Sequence, residues 1–283
     1  TPLDQYEQVG KSILADKLSN QMMHNGPLRF VMLGYPMKSS NTRDKVLGSI
    51  PDMAEQVSIK NFNNFNAKIS EVYSPGVSIN IVNDGFLFND LLEVSDDTVD
   101  HYQDIITDWS KNIPIQYHNL RDFYSSKNNL GEMRESIMTD FGIEYSELEK
   151  RILFDPDVNF LYRGMMRFME EELATKTFPS KTQLHLAAKR LTREMMLRNE
   201  AYSNLVKNEF SSYIRLSMHP SVNNGAKYSF QLIPSKKANK SPWHTSLVID
   251  KTGDFLTLHK KDAIEAGYEL VYNDNQPFNF IEK

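Results

Sequence analysis

The feature that most constrains the fold is a regular alternation of short apolar runs with amphipathic segments in the first part of the chain. The apolar runs cover residues 28–33, 77–82 and 113–118. Patterns typical of helices separate them at residues 52–65 and 96–111, and another amphipathic helix is predicted before the first run, at residues 4–23. Strand–helix–strand repeats of this kind indicate a Rossmann-like parallel sheet with helices on its faces.

The rest of the chain divides into a helical middle and a strand-rich end. Helical periodicity covers about residues 125–210, with breaks at Asp155-Pro156 and Phe178-Pro179. Four short strands separated by turn signals are predicted after it, at residues 212–219, 226–234, 243–250 and 254–259. This pattern favours an antiparallel β-meander in the C-terminal third. We therefore predict an α/β fold with regions at residues 1–124 and 125–283, and an active site at their junction.

Composition excludes several kinds of site and partner. The chain has no cysteine, which excludes disulfides, thiol nucleophiles and Cys-ligated zinc or iron–sulfur centres. Its net charge of −5 argues against a nucleic-acid partner. No apolar run approaches the roughly 18 residues of a membrane span, and no signal peptide is visible, so we expect a cytoplasmic protein. Phosphate-binding glycine loops, a nucleophile elbow and a His-x-x-x-His zinc pair are also absent.

One cation interrupts the apolar stripe of the helix predicted at residues 181–209. The stripe otherwise consists of Leu184, Ala188, Leu191, Met195, Tyr202 and Leu205. Arg198 lies on the same stripe, and a buried guanidinium needs a partner because an unpaired buried charge is very costly. Arg198 therefore belongs either to a structural ion pair or to an anion site, for which its planar group is well suited.

A second polar row is expected on the strand at residues 213–219. Side chains on a strand repeat every two residues, so Arg215, Ser217 and His219 share one face. The row is typical either of a solvated outer face or of a phosphate or carboxylate site. Lys227 continues the polar alternation on the next predicted strand, and both rows share a face if the two strands pair.

The third candidate is Pro242-Trp243-His244, which reads as the entry into a strand with the indole and the imidazole on opposite faces. A lone histidine is more often structural than catalytic, but His219 and Lys227 as potential neighbours favour a site. From residue patterns alone, the chain is an acidic α/β enzyme with a cationic pocket. Its reaction does not follow from these patterns.

Seven stretches of the chain occur in an order that is informative as a set: residues 34–41, 51–55, 73–85, 162–169, 198–203, 214–220 and 242–244. Together they resemble the pyoverdine/dityrosine biosynthesis family, whose bacterial members include isocyanide synthases. The resemblance extends from about residue 28 to the C-terminus. The chain departs from the family pattern at Ser40, where the family usually has proline, and at Phe86, where it usually has arginine. Asp84 is retained.

The resemblance implies a reaction in which the amine of L-tyrosine or L-tryptophan condenses with the C2 ketone of ribulose 5-phosphate. Fragmentation of the sugar then leaves C2 as the isonitrile carbon. No metal or organic cofactor is implied, and an iron/2-oxoglutarate oxygenase often acts on the product. Two alternatives remain open: an N-formyl-tyrosine synthase of the same family, and a non-catalytic sensor of a sugar phosphate or amino acid.

The implied reaction needs residues that bind the substrates and residues that transfer protons. We expect the substrates to be bound by Arg198, Arg215, Lys227, Ser217, Asn199, Asn41 and Trp243. The candidate acids and bases are His219, His244, Asp84 and Glu55. Lys38 is expected to bind phosphate or to form a Schiff base with the ketone. We favour the former because its polar loop offers little burial to lower its pKa. Trp243 or Tyr35 is expected either to stack on the amino-acid ring or simply to fill the core.

Overall fold

A computed structural model describes residues 2–218, 226–235 and 240–283. The chain divides into two compact units. The first comprises Thr1–Asn83, Asp100–His118 and Ser212–Lys283, and the second comprises Asp84–Val99 and Asn119–Ser211. The predicted boundary at residue 124 does not coincide with this division, because the C-terminal strands are grouped with the N-terminal sheet. The expected position of the active site at a junction stays a prediction.

The elements follow one another along the chain as α1 (Pro2–Met22), β1 (Leu28–Leu33), α2 (Met53–Ser70), β2 (Val77–Val82), α3 (Gly85–Leu92), α4 (Asp96–Trp109), β3 (Ile115–His118), α5 (Leu120–Phe123), α6 (Leu130–Phe141), α7 (Tyr145–Phe154), α8 (Pro156–Leu173), α9 (Lys181–Glu209), β4 (Ile214–Ser217), β5 (Tyr228–Ser229), a 3-10 turn (Pro242–His244), β6 (Ser246–Ile249), β7 (Phe255–Leu258), α10 (Lys260–Glu265), β8 (Glu269–Asn273) and β9 (Gln276–Ile281).

The first unit contains a five-stranded sheet with the strand order β3-β2-β1-β4-β5, in which every neighbouring pair is parallel. This confirms the predicted α/β class and the parallel sheet. One face is apolar and lies in the core, with side chains from α2 and α4 packed against it. The core residues of the three central strands are Phe30, Met32, Ile79, Ile81, Ile214 and Leu216. Burying each such side chain contributes roughly 1.5–3 kcal/mol.

The predicted four-stranded meander is wrong in two of its strands. β4 pairs with β1 and β5 pairs with β4, both in parallel, so these strands extend the first sheet. β6 and β7 do form the expected antiparallel pair, within a second sheet of order β7-β6-β9-β8. The error has a physical cause: alternation identifies the two faces of a strand but does not specify its partner or direction.

Helix α2 links the two sheets of the first unit because two of its faces are buried. Ile59 and Phe62 pack into the core of the five-stranded sheet. Ala54 and Val57 instead pack against Leu247 at the second sheet. The helix begins with a capping box, which places the polar residues at its first turn in fixed positions.

The second unit is helical, and the breaks predicted in it are confirmed. Asp155 caps α8 by accepting hydrogen bonds from the backbone of Asp157 and Val158, and Pro156 occupies the first helical position, where its missing N–H costs nothing. Ser180 caps α9. The predicted stripe of α9 is largely buried, and α8 packs along this helix. Short elements such as α3 and α5 escaped prediction because one or two turns carry too little periodicity.

Candidate active site

The loop after β1 contains a buried lysine held by two carboxylates. The Nζ atom of Lys38 lies 2.8 Å from Oδ2 of Asp52 and 2.8 Å from Oε2 of Glu55. The side chains of Lys38 and Glu55 are 0% exposed. Burial acts to lower the pKa of Lys38, but the two carboxylates outweigh it, so that the pKa is raised. Burial, together with the charge of Glu55, raises the pKa of Asp52 to about 7.

This geometry corrects the expectation that the loop leaves Lys38 little buried. The loop is polar in sequence, but it folds into the protein. Lys38 stays protonated because its carboxylate partners stabilise the ammonium. A protonated amine has no lone pair with which to attack a ketone. The expected role of Lys38, in binding phosphate or in forming a Schiff base, stays a prediction.

Capping of α2 explains why the two carboxylates lie where they do. Asp52 is the N-cap residue, and its side chain accepts a hydrogen bond from the backbone of Ala54. Oε2 of Glu55 accepts one from the backbone N–H of Asp52 at 3.0 Å. The sequence Asp-x-x-Glu after Pro51 is therefore both a helix start and the source of the site's negative charge.

Tyrosine hydroxyls surround Glu55 on its other side. The hydroxyl of Tyr102 donates to Oε1 of Glu55 at 3.2 Å. Ser58 donates to the backbone carbonyl of Glu55 and lies 2.7 Å from the hydroxyl of Tyr35. Burial, followed by the charge of Glu55, raises the pKa of Tyr102 well above its ordinary value. Sequence reasoning did not single out Tyr102, which lies within the helix predicted at residues 96–111.

The segment at residues 242–244 forms a 3-10 turn and not the predicted strand entry, since the strand begins at Ser246. Pro242 at the first position of the turn favours this conformation. The turn is tied to the loop after β1 by two hydrogen bonds: Nζ of Lys38 donates to the carbonyl of Pro242 at 3.2 Å, and the backbone N–H of Ser39 donates to the carbonyl of Trp243 at 2.9 Å.

The turn holds its histidine and its tryptophan in different ways. Nδ1 of His244 lies 2.8 Å from Oγ of Ser241, which sets the orientation of the imidazole. Trp243 is buried, with its ring 5.2 Å from that of Tyr35, and it closes over Gly34, where a Cβ atom would lie only 3.1 Å from the indole. This packing favours a core role for both aromatics. Stacking on a substrate ring stays a prediction.

Asn41 is buried and shapes the same loop. Its side-chain oxygen accepts a hydrogen bond from the backbone of Asp44 at 2.9 Å, and its carbonyl accepts one from Lys45. These contacts are those of a turn-forming asparagine. Its predicted part in substrate binding remains a prediction.

The second face of the five-stranded sheet carries the polar row predicted on β4. Arg215 is in register with Val31, and Ser217 is in register with Ser229 on β5, so Arg215, Ser217 and Ser229 point to one face. Both predicted rows therefore share a face, through parallel pairing and not through a hairpin. Burial lowers the pKa of Arg215. Burial, followed by the positive charge of Arg215, lowers the pKa of Lys227.

Two further polar side chains lie on this face of the sheet. Asn80 on β2 is in register with Val31, and Nε2 of His118 lies 2.7 Å from its Oδ1 atom. Asn80 was not among the site residues predicted from the sequence. A polar residue inside the apolar run Val77–Val82 is the signal that would have identified it.

Three of the remaining candidates, Arg198, Asn199 and Asp84, lie in the second unit. Arg198 forms ion pairs with Asp90 at 2.7 Å and Glu194 at 3.0 Å. It also donates to the carbonyl of Leu87 at 2.8 Å. These contacts favour the structural alternative, and a role in anion binding stays a prediction. Asn199 follows Arg198 on α9 and is partly exposed. His219 lies outside the described residues.

Asp84, at the start of α3, is the candidate acid or base of the second unit. Part of the residue is exposed, but its Oδ1 atom is buried. Burial raises the pKa of Asp84 to about 6. The structure thus leaves this carboxyl able to exchange a proton near neutral pH.

Among the described residues, no three His, Asp or Glu side chains lie close enough together to hold a metal ion. In that same part of the chain, each helix is too short or too polar to cross a membrane. The expectation that the protein uses no metal stays a prediction.

The sequence profile described as "Pyoverdine/dityrosine biosynthesis protein" matches residues 18–271. The chain belongs to this family. The resemblance seen in the seven motifs is therefore confirmed. Proteins of Fischerella ambigua, Pseudomonas aeruginosa and Aspergillus fumigatus are similar to this chain over most of its length.

Three curated relatives are named for isonitrile chemistry. The chain is 31% identical to an L-tryptophan isonitrile synthase of Fischerella ambigua, over 94% of the chain and 81% of the relative. It is 30% identical to the L-tyrosine isonitrile synthase of Pseudomonas aeruginosa, over 90% and 79%. The isocyanide synthase xanB of Aspergillus fumigatus is 28% identical over 93% of the chain, which spans only 37% of that longer protein.

A solved structure confirms the fold. The crystal structure of the PvcA protein from Pseudomonas aeruginosa superimposes with a TM-score of 0.92 and 27% sequence identity. The match covers 99% of this chain and 93% of the PvcA chain. The parallel sheet and the mixed C-terminal sheet are thus those of a known member of the family.

Proposed function

We propose that the chain is an isonitrile synthase that converts the amine of L-tyrosine or L-tryptophan into an isonitrile, with ribulose 5-phosphate as the carbon donor. The amine adds to the C2 ketone of the sugar, and water leaves to give an imine. Fragmentation then breaks the bonds of C2 to C1 and to C3: one electron pair stays on C2 as the isonitrile lone pair, and the other leaves with its sugar fragment, which takes up a proton. The names of the relatives support the amino-acid substrates and the product. Since relatives of both kinds are about equally similar, the proposal includes both amino acids.

The observation that carries the proposal is the pair of cations on the polar face of the parallel sheet. Arg215 and Lys227 lie close enough to lower the pKa of Lys227, with Ser217 and Ser229 in the same row. A dianionic phosphate would bind two such cations and relieve their mutual repulsion. In parallel sheets, ligands bind beyond the carboxyl ends of the strands, and Ser217 ends β4 at that edge.

His244 is the proposed proton carrier of the first unit. Ser241 engages Nδ1 and so orients the ring that would exchange protons with a substrate. Imine formation and sugar fragmentation both need a group that takes up and returns protons near neutral pH, which imidazole does. His219 is retained as a second candidate.

Lys38, Asp52 and Glu55 are assigned a positioning role. Lys38 joins the carboxylates of α2 to the carbonyl of Pro242, and so fixes the turn that carries His244. A residue that is fully buried and bonded on three sides is suited to holding a neighbour in place. This assignment differs from the earlier expectation that Lys38 and Glu55 act directly on the substrate.

The remaining parts of the proposal follow from the family resemblance. The enzyme would act as a transferase or lyase without a metal or organic cofactor, in the cytoplasm. Its product would be a substrate for an iron/2-oxoglutarate oxygenase. The chain would need neither nucleic acid nor a membrane for this reaction.

The experiment is to incubate the protein with ribulose 5-phosphate and either L-tyrosine or L-tryptophan, and to trap the product with a tetrazine that reacts with isonitriles. An adduct with at least one amino acid is expected. An N-formyl product without any adduct would favour the alternative synthase. Ligand-induced stabilisation without turnover would favour the sensor, and either result would overturn the proposal.

A further inference from the structure

Asp84 stands where an aspartate ordinarily caps a helix, but it does not cap. It is the N-cap residue of α3, and its side chain makes no capping hydrogen bond. Asp155, the corresponding residue of α8, does accept from the first turn of its helix. Aspartate is favoured at N-caps because its carboxylate satisfies backbone N–H groups there. Helix capping therefore does not explain why an aspartate occupies position 84.

One oxygen of the Asp84 carboxyl also lacks a partner where one is expected. Within the described ranges, its buried Oδ1 atom has no hydrogen-bond partner. Its own backbone N–H is the hydrogen-bond donor that acts to lower its pKa. Buried polar atoms in native proteins are nearly always hydrogen-bonded, so each exception needs an explanation, such as a group that a ligand supplies.

The neighbouring groups do not neutralise this carboxyl. Burial, followed by the charge of Asp84, raises the pKa of Tyr202 on α9 well above its ordinary value. Asp122 acts on Tyr202 in the same direction. Two cations that contact α3 are engaged elsewhere: Arg121 lies over the ring of Phe86 at 3.9 Å, and Arg198 pairs with Asp90. The surroundings would therefore accept a cation and repel an anion.

We propose that Asp84 binds the ammonium group of the amino-acid substrate and removes one of its protons. The inference rests on the proposed function, in which the two substrates carry one cationic group between them, the ammonium of the amino acid. The phosphate of the sugar would be repelled here. One N–H bond of the ammonium breaks, its electron pair stays on nitrogen, and an O–H bond forms on the carboxylate. The neutral amine then carries the lone pair that addition to a ketone requires.

The raised pKa of Asp84 is consistent with this step. At about 6 it lies well above the ordinary value of about 3.9 for aspartate, which makes the carboxylate a stronger base while leaving it mostly ionised at pH 7 to 8. A group meant only to hold the ammonium would not need the higher basicity.

The test compares Asp84→Asn with Asp155→Asn. Asparagine caps helices about as well as aspartate, so the second variant controls for the same change at an N-cap. We would measure the thermal stabilisation of each protein by L-tyrosine, by L-tryptophan, and by 3-(4-hydroxyphenyl)propanoate, which is tyrosine without its amine. Isonitrile formation would be measured in parallel.

Wild type and Asp155→Asn are expected to bind the amino acid at least tenfold more tightly than the deaminated analogue. Asp84→Asn should lose this preference, lose at least 100-fold in kcat/KM for the amino acid, and unfold at the same or a higher temperature at pH 8. A lower unfolding temperature, or a preserved preference for the amine, would overturn the inference. If wild type forms no isonitrile, the proposed function fails, and the amine preference still tests Asp84 separately.

Discussion

At the scale of single residues, the Lys38 cluster is governed by the cost of burying charge. The ammonium of Lys38 lies between the carboxyl groups of Asp52 and Glu55, and the exposed fractions of these side chains are 0%, 3% and 0%. Burial favours a cluster without net charge, because each buried ion loses its hydration. One carboxyl therefore tends to keep its proton, and Asp52, whose pKa is raised to about 7, is only about half ionised at pH 7.

This predicts a particular dependence of stability on pH. The pKa of Asp52 is higher in the folded protein than the ordinary value of about 3.9. The folded state therefore holds the proton more tightly, and the stabilisation is lost as the pH rises from about 4 to beyond 7. The Asp52→Asn variant keeps the helix cap and lacks the titrating group. Urea unfolding at pH 5 and pH 8 should show wild type losing stability relative to the variant. Parallel curves for the two proteins would contradict the assignment.

Arg198 shows how a residue that looks functional in sequence is satisfied locally. Its side chain is 11% exposed, whereas those of Asp90 and Glu194 are 38% and 42% exposed. Removing the guanidinium would leave two carboxylates that water can hydrate, and one backbone carbonyl without its donor. The exposed pairs contribute little to stability because water screens them.

We therefore predict that Arg198→Met changes the free energy of unfolding by only about 1 kcal/mol, the typical value of one hydrogen bond. The affinity for ribulose 5-phosphate should not change. Equilibrium unfolding and ligand titration check the two parts. A folded variant that has lost sugar-phosphate binding would restore the anion-site interpretation of Arg198.

At the scale of elements, the parallel pairing of β4 with β1 and β5 creates the cationic row. The sequence predicted instead that the strands at residues 212–219 and 226–234 pair with each other in antiparallel directions. Parallel pairing aligns the carboxyl end of β4 with that of β1. Ser217, the last residue of β4, therefore lies at the same edge of the sheet as the loop that follows β1 and contains Lys38. The placement of the candidate site follows from strand direction as much as from residue type.

The matching prediction concerns Arg215. Replacing it by methionine should raise the KM for ribulose 5-phosphate about 10- to 100-fold, since a hydrogen bond to a charged group contributes roughly 1.5–3 kcal/mol. The KM for the amino acid should stay within twofold. Arg29→Met is the control: Arg29 is a partly buried arginine of β1 that lies over the ring of Tyr213, near the amino end of its strand. Equal effects of the two substitutions would argue against a phosphate site at Arg215.

At the scale of the whole molecule, sequence periodicity predicted most of the elements but not how distant ones combine. β1, β2 and α9 were predicted at their observed bounds, because long or strongly apolar segments carry a clear pattern. The grouping of the C-terminal strands with the first sheet was missed, since partner choice depends on contacts between residues far apart in sequence.

The candidate site was predictable to a similar degree. The shared face of Arg215 and Ser217 followed from the two-residue period of a strand. The burial of Lys38 did not, because a polar loop gives no sign of which side chains fold inward. The unpartnered carboxyl of Asp84 was also invisible, since an aspartate before a helix reads as an ordinary cap.

The most direct test of the proposed function follows the carbon atom that becomes the isonitrile carbon. The protein would be incubated with L-tyrosine or L-tryptophan and ribulose 5-phosphate labelled with ¹³C at C2, and the product would be analysed by ¹³C NMR and mass spectrometry. The proposed function predicts an isonitrile whose terminal carbon carries the label. An unlabelled isonitrile would contradict the proposed carbon donor, and the absence of isonitrile with both amino acids would contradict the proposed function itself.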